Sequence, residues 1–298
     1  MHESVKIGPE QSMITALGIA SFALLAAAPS DGVLVMAHGG DKEWNRLVTE
    51  AVEPVGRRWP VEIAFGMADS ATLAPAVARL ESKGARRIAV VRLFVSGASF
   101  LERTEYILGL RKTLSHAEMH MGHGDGHAME TKPLQSQAAF LLSKQGLLDY
   151  AGVGPILRDR VAALSKSPAA ETVLILGHGP GSDEENALWL AAMEKQAKSV
   201  LGLGKFRGVF CRTLREDWPD KREAAEADIR GIVAKANENG GRCLVVPYRL
   251  AGFGPYAEVL EGLTYVSDGK GFLPHAAITA WIEEQASRLL SAAPSVTR

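Results

Sequence analysis

Two short stretches hold residues able to do chemistry: His38-Gly39-Gly40 and His178-Gly179-Pro180-Gly181. Each follows an apolar run, GVLVMA before the first and TVLILG before the second. Such runs read as buried strands, so each histidine stands where a strand ends and the chain turns. Imidazole binds metals and exchanges protons near neutral pH. The glycines behind it allow a sharp turn and close approach of a ligand to the main chain. One strand-end histidine is commonly just satisfied by the backbone; the recurrence of the unit about 140 residues later points to function. Neither stretch matches G-x-G-x-x-G or G-x-x-x-x-G-K-[ST], so a nucleotide site has little support.

A second constellation is His116, His120, His123 and His127, interleaved with Met119, Met121, Met129 and Asp125. Imidazole suits zinc, copper, nickel and cobalt, and thioether favours Cu(I). The segment reads as a metal-delivery or buffering stretch, or as a polar loop that binds metal incidentally. With no cysteine nearby and many glycines, it does not read as a structural zinc site. Cys211 and Cys243 each lie in an apolar run and are expected as buried free thiols. His275 reads as a cleft residue or a helix cap, and Asp183 and Glu184 as an N-cap and a first-turn acid.

Strands are expected at 32–37, 61–66 and 87–95, and again at 172–177, 208–212 and 242–250. Helices are expected at 42–57, 72–83, 184–201, 221–237 and 278–290, with others starting near 100 and 255. Alternation of this kind gives an α/β fold of two similar domains, each a parallel sheet with helices on both faces. Right-handed crossovers gather the strand C-termini on one edge, where ligands of open α/β sheets bind. Both histidines belong on that edge.

The implied organisation is an extension over 1–30, a first domain over 31–168 with an inserted loop at 115–134, and a second domain over 169–298. A chain of 298 residues, 47% hydrophobic and 22% charged, has room for two such cores. Its net charge of -1 gives no basic balance for nucleic acid. Residues 13–28 form an apolar run ending in small residues. It reads as the core of a signal peptide, implying a periplasmic or exported protein, or as an N-terminal helix of a cytoplasmic one. No second long apolar segment exists, which excludes a multi-pass membrane protein and leaves no stable span after processing.

The stretches VLVMAHGG, VEIAFGMADSATLAPAVARLESKGARRIAVVRLFVSG, VLILGHG and RCLVVPYRLAGFGPY resemble the class II tetrapyrrole chelatases of the CbiX/SirB type. These insert cobalt or iron into sirohydrochlorin, in siroheme and cobalamin biosynthesis. The resemblance runs over nearly the whole chain after Asp31. It implies the long form of the family: a monomeric pseudo-dimer with two chelatase-like domains across a cleft. It further implies a divalent metal substrate (cobalt, iron or nickel) and a tetrapyrrole such as sirohydrochlorin.

By the same resemblance, His38 matches the family's first metal-binding histidine. A second is implied after the third strand, but the matching stretches, 94–100 and 251–256, contain none. Glu102 and Glu105 are candidate replacements, since carboxylates also bind divalent metals, or they are first-turn acids favoured by the helix dipole. Chelation needs a metal held with open positions, an acceptor for pyrrole protons, and a shaped cleft. His38, His178 and Glu102 are therefore the expected catalytic residues. The same two histidines, with the four at 116–127, are the expected metal ligands. Arg92, Arg103 and Arg249 are candidates to pair with the carboxylates of the ring. Two functions follow: a chelatase, or a non-catalytic periplasmic protein of the same fold that holds metal or a tetrapyrrole.

Overall fold

The computed structural model describes residues 1–2, 30–115 and 130–292. The apolar segment at 13–28 and the four clustered histidines, His116, His120, His123 and His127, lie outside the described residues.

The first sheet takes β1 (Ser30–Ala37), β2 (Val61–Phe65), β3 (Ala85–Arg92) and β4 (Ala139–Leu142) in the order β2-β1-β3-β4, all parallel. The second takes β5 (Glu171–Gly177), β6 (Gly208–Thr213) and β7 (Arg242–Tyr248) in the order β6-β5-β7, again all parallel. The helices are α1 (Lys42–Val52), α2 (Ser70–Ser82), α3 (Leu101–Ile107), α4 (Val153–Leu164), α5 (Asp183–Ala197), α6 (Pro219–Ala236), α7 (Tyr256–Val259) and α8 (Ala276–Ser291). Where longer helices were expected, α1 and α5 tighten into 3-10 turns at Glu53–Arg57 and Lys198–Leu203. β4 is a strand that the sequence pattern did not reveal.

β1 and β5 are the central strands, and their apolar runs are buried on both faces, as parallel sheets require. The period of two separates the faces. Val33, Val35 and Ala37 of β1, with Val173 and Ile175 of β5, share one central core. Leu34 and Met36 face a core with α2 residues, and Leu174 and Leu176 face one with α6 residues. Each sheet is therefore covered on both sides.

The central core ties the halves together. Trp281 and Ile282 of α8 and Ile156 and Leu157 of α4 belong to it. The C-terminal helix α8 lies against β3 of the first sheet, whereas α4 lies against β7 of the second. A buried polar clasp reinforces the joint. The Gln196 side chain donates to the carbonyls of Leu148 and Tyr150, 2.9 and 3.1 Å away, and accepts from the Tyr248 hydroxyl.

Candidate functional site

β1 ends at Ala37, level with Phe65 of β2, and β5 ends at Gly177, level with Thr213 of β6 and Tyr248 of β7. The next residue in each half is the histidine. Gly39 follows His38 with φ +85°, and Gly179 follows His178 with φ +81°. Only glycine takes this left-handed turn without strain. At Gly179 the packing adds a second reason, because a Cβ would stand 2.6 Å from the Thr213 Cβ.

The turn sets the tautomer of each ring. His38 Nδ1 lies 3.0 Å from the Gly39 carbonyl and His178 Nδ1 lies 2.7 Å from the Gly179 carbonyl. A carbonyl only accepts, so Nδ1 carries the proton in both. For His38 this leaves Nε2 as the lone-pair nitrogen, on an exposed side chain. For His178, Nε2 meets Asp217 Oδ2 at 3.0 Å and Glu216 Oε2 at 3.9 Å. A carboxylate also only accepts, so Nε2 of His178 donates to it, and the two contacts together favour the imidazolium.

The electrostatics agree. Burial alone disfavours the His178 imidazolium, but the Asp217 hydrogen bond, the charge of Glu216 and the Gly179 carbonyl outweigh it, and the pKa is raised. The Asp217 carboxyl is held below the ordinary range, chiefly by the His178 hydrogen bond; burial opposes this, and the charges of His178, His38 and Arg249 add to it. Asp217 thus feels both histidines and stands on the edge they share. Behind it, Glu216 accepts from Arg249 Nη1 at 2.5 Å, and the Arg249 guanidinium lies 5.8 Å from the Tyr256 ring.

Each turn has a side chain that braces it. Asn45 of α1 clasps Gly40, accepting from its N–H at 3.0 Å and donating to its carbonyl at 3.1 Å. Arg215, buried and at φ +58°, donates to the carbonyls of Pro180 and Gly181 and reaches Asp183 at 2.9 Å.

The structure brings His38, His178 and Arg249 to this edge; several other expected residues are used elsewhere. Arg92 is 1% exposed and donates to the carbonyls of Gly97, Ser143 and Ser99. It braces the loop after β3 rather than meeting a ligand, and burial lowers its pKa to about 10. Arg103 is buried within α3. Glu102 accepts from the Ser115 N–H and lies 3.9 Å from Arg111, so it holds the start of the inserted loop. Glu105 pairs with Arg111 and Lys144, each at 3.1 Å. Arg249 is in place but engaged by Glu216.

The loop after β3, where the resemblance implied a histidine, is a close backbone crossing. A Cβ at Gly97 would stand 2.4 Å from the Lys144 carbonyl. His275 is a cap: its Nδ1 accepts from Ala277 N at 3.1 Å, and Nε2 meets Asp159 at 3.3 Å. Ser182, not Asp183, caps α5. Cys211 and Cys243 are buried free thiols, their pKa values pushed up to about 12 by burial.

Sequence reasoning missed Glu216 and Asp217. The signal was present, since both follow the end of a strand on the ligand edge. A groove of about 350 Å³ lies apart from the histidines, beside β6 between α5 and α6. Its cations are paired with its own acids, Arg212 with Asp228 and both Arg215 and Lys221 with Asp183. Among the described residues, no three or more His, Cys, Asp or Glu side chains are grouped to hold a metal ion. Nor, among them, is any helix long and apolar enough to cross a membrane.

Residues 32–130 match the CbiX family. Solved structures extend the likeness over both halves at the level of fold. SirB from Bacillus subtilis with Fe3+ aligns with a TM-score of 0.60 at 17% identity, over 87% of this chain and 96% of that one. CbiX, described as the terminal enzyme for biosynthesis of siroheme in denitrifying bacteria, aligns at 0.53 and 14%, over 88% and 100%. DR2241 from Deinococcus radiodurans, a multi-domain protein with structural similarity to chelatases, aligns at 0.52 and 17%, over 89% and 55%. No curated protein matches the chain. The fold shared with these structures, two parallel sheets flanked by helices, thus extends over both halves, and the C-terminal edge of its strands carries His38, His178 and Asp217.

Proposed function

We propose that this protein inserts a divalent metal ion into a tetrapyrrole of the sirohydrochlorin type. The observation that carries the reading is the unlike state of the two strand-end histidines, whose charges both act on one carboxylate, that of Asp217. Insertion breaks two pyrrole N–H bonds, binds the metal to the four ring nitrogens and releases two protons. His38 has what that needs: an outward lone pair at Nε2, on a ring fixed by its own turn and open to water. It takes each proton in turn and passes it to solvent, or ligates the incoming metal. Asp217 and Glu216 supply negative charge for a divalent cation. His178 holds Asp217 in place, and a metal arriving at that carboxylate displaces the imidazolium.

The metal substrate we assign is cobalt, with iron and nickel as competitors. The histidines at 116, 120, 123 and 127 we assign to holding metal before insertion. Supporting this, both flanks of their segment are tied to the first half: the Ser115 N–H to Glu102 of α3, and Glu130 N to Asp69, which follows β2, at 3.2 Å. Purified protein with sirohydrochlorin and Co(II) should show the absorbance change of insertion, lost in His38→Ala. Repeating it with Fe(II) and Ni(II) ranks the metals.

A second reading, a non-catalytic binder of metal or tetrapyrrole, is favoured by one observation. The loop after β3 has no histidine and is locked by Arg92. Binding of sirohydrochlorin without insertion of any of the three metals would decide for that reading.

A further inference from the structure

Of the five tryptophans, three are core residues: Trp59, Trp189 and Trp281 are 9%, 7% and 1% exposed. Trp44 and Trp218 are partly exposed, and each lies on the turn of one histidine. The Trp44 indole covers Gly40, two residues after His38: a Cβ there would stand 3.0 Å from its Cγ. The Trp218 indole covers Gly181, three residues after His178: a Cβ there would stand 2.3 Å from its Nε1. Trp218 also meets the His178 ring edge-on, with centroids 6.0 Å apart, and Trp44 meets Phe65 the same way at 6.4 Å.

The duplication does not account for this pairing. Trp44 comes from α1, between the first and second strands of its half, and is placed there by the Asp41 cap, which accepts from its N–H at 2.8 Å. Trp218 comes from the link between the second strand of its half and α6. Two non-equivalent positions thus bring the same side chain against the turn that follows each histidine. A large aromatic left partly in water forgoes part of its burial energy, and sites for small ligands are lined by such aromatic faces.

We infer that Trp44 and Trp218 are the aromatic contacts on which a planar conjugated macrocycle rests, one beside each histidine. The inference rests on the tetrapyrrole reading above and names the residues that grip the ring. Offset or edge-on packing of indole against a conjugated ring gives binding without dictating chemistry. These residues therefore set KM rather than kcat.

The test uses full-length protein labelled with 5-fluorotryptophan, titrated with metal-free sirohydrochlorin and followed by fluorine NMR. Trp44→Phe and Trp218→Phe assign two of the five resonances. The ring current of the macrocycle should shift those two more than the three of the buried tryptophans. Binding seen in the ligand's absorbance, with Trp44 and Trp218 moving no more than the others, would overturn the inference and leave the tetrapyrrole reading intact. Absence of binding would overturn both. In parallel, Trp44→Leu and Trp218→Leu should each weaken affinity for metal-free sirohydrochlorin roughly 2- to 10-fold, the range for one aromatic pair. Equal affinity in folded variants would also overturn it.

Discussion

The His178–Asp217 pair makes a sharp prediction for the substitution Asp217→Asn. An amide keeps the shape of the carboxylate and removes its charge. Burial, which alone disfavours the imidazolium, is then opposed only by Glu216 and the Gly179 carbonyl, so the His178 pKa falls from its raised position. The stability effect is small, because Asp217 is 71% exposed. A fully buried hydrogen bond to a charged group is worth about 1.5–3 kcal/mol, and an exposed pair about 0–1 kcal/mol; we expect about 1 kcal/mol. His178, with its pKa raised, contributes stability that is complete below its ordinary value of 6.5 and is lost as the pH rises through the folded value. Asp217, with its pKa lowered, contributes stability present above its ordinary 3.8 and lost as the pH falls through the folded value. The difference between wild type and variant is therefore greatest between 3.8 and 6.5 and shrinks on either side. Urea unfolding across this range measures it, and a proton NMR titration of His178 measures the cause. A difference independent of pH, or a His178 midpoint that stays put in the variant, would refute the pairing.

Other substitutions test the placement of the neighbouring side chains. Arg92→Met removes a buried donor from three carbonyls and should cost about 3 kcal/mol or more, with KM for the tetrapyrrole unchanged in whatever protein folds; a raised KM at unchanged stability would instead make Arg92 a ligand residue. Gly179→Ala places a methyl group against Thr213 at a left-handed φ and should cost about 1–3 kcal/mol, read by urea unfolding. Asn45→Ala removes both bonds to Gly40 and should cost about 1 kcal/mol; misplacing His38 should lower the insertion rate by roughly ten-fold or more, and an unchanged rate would show that the turn holds itself.

Six of the seven strands were legible because they are apolar runs ending in glycine or polar residues, β4 being the one that was not, and the two histidine turns were legible because they repeat. The exchange of α4 and α8 between the sheets was not legible. Both have ordinary amphipathic patterns, and which sheet a helix covers depends on tertiary packing alone. The arginines misled for a related reason. Arg92 lies in an apolar strand, and nothing local shows that its charge is spent on carbonyls distant in sequence, such as that of Ser143. Asp217 follows the second strand of its half, whereas the family resemblance implied a metal partner after the third.

Asp217 also shows how two similar halves come to differ beside their strand-end histidines. The amide after each second strand bonds to the end of the first: Gly66 N to the Ala37 carbonyl, and Leu214 N to the Gly177 carbonyl, both 2.9 Å. Counting three residues on from each gives Asp69 and Asp217, so the same position carries an aspartate in both halves. Their work differs because the helices start differently. α2 begins at Ser70, directly after Asp69, whose carboxylate caps it by accepting from Ala71 N at 2.8 Å. α6 begins two residues beyond Asp217, at Pro219, and has no side-chain cap. Proline at the first helical position has no N–H to satisfy and fixes φ for the helix. Asp217 is thereby released from capping and turns to His178. In the first half the equivalent carboxylate is taken up by the cap, and among the described residues no carboxylate pairs with His38, so the two histidines differ in their surroundings.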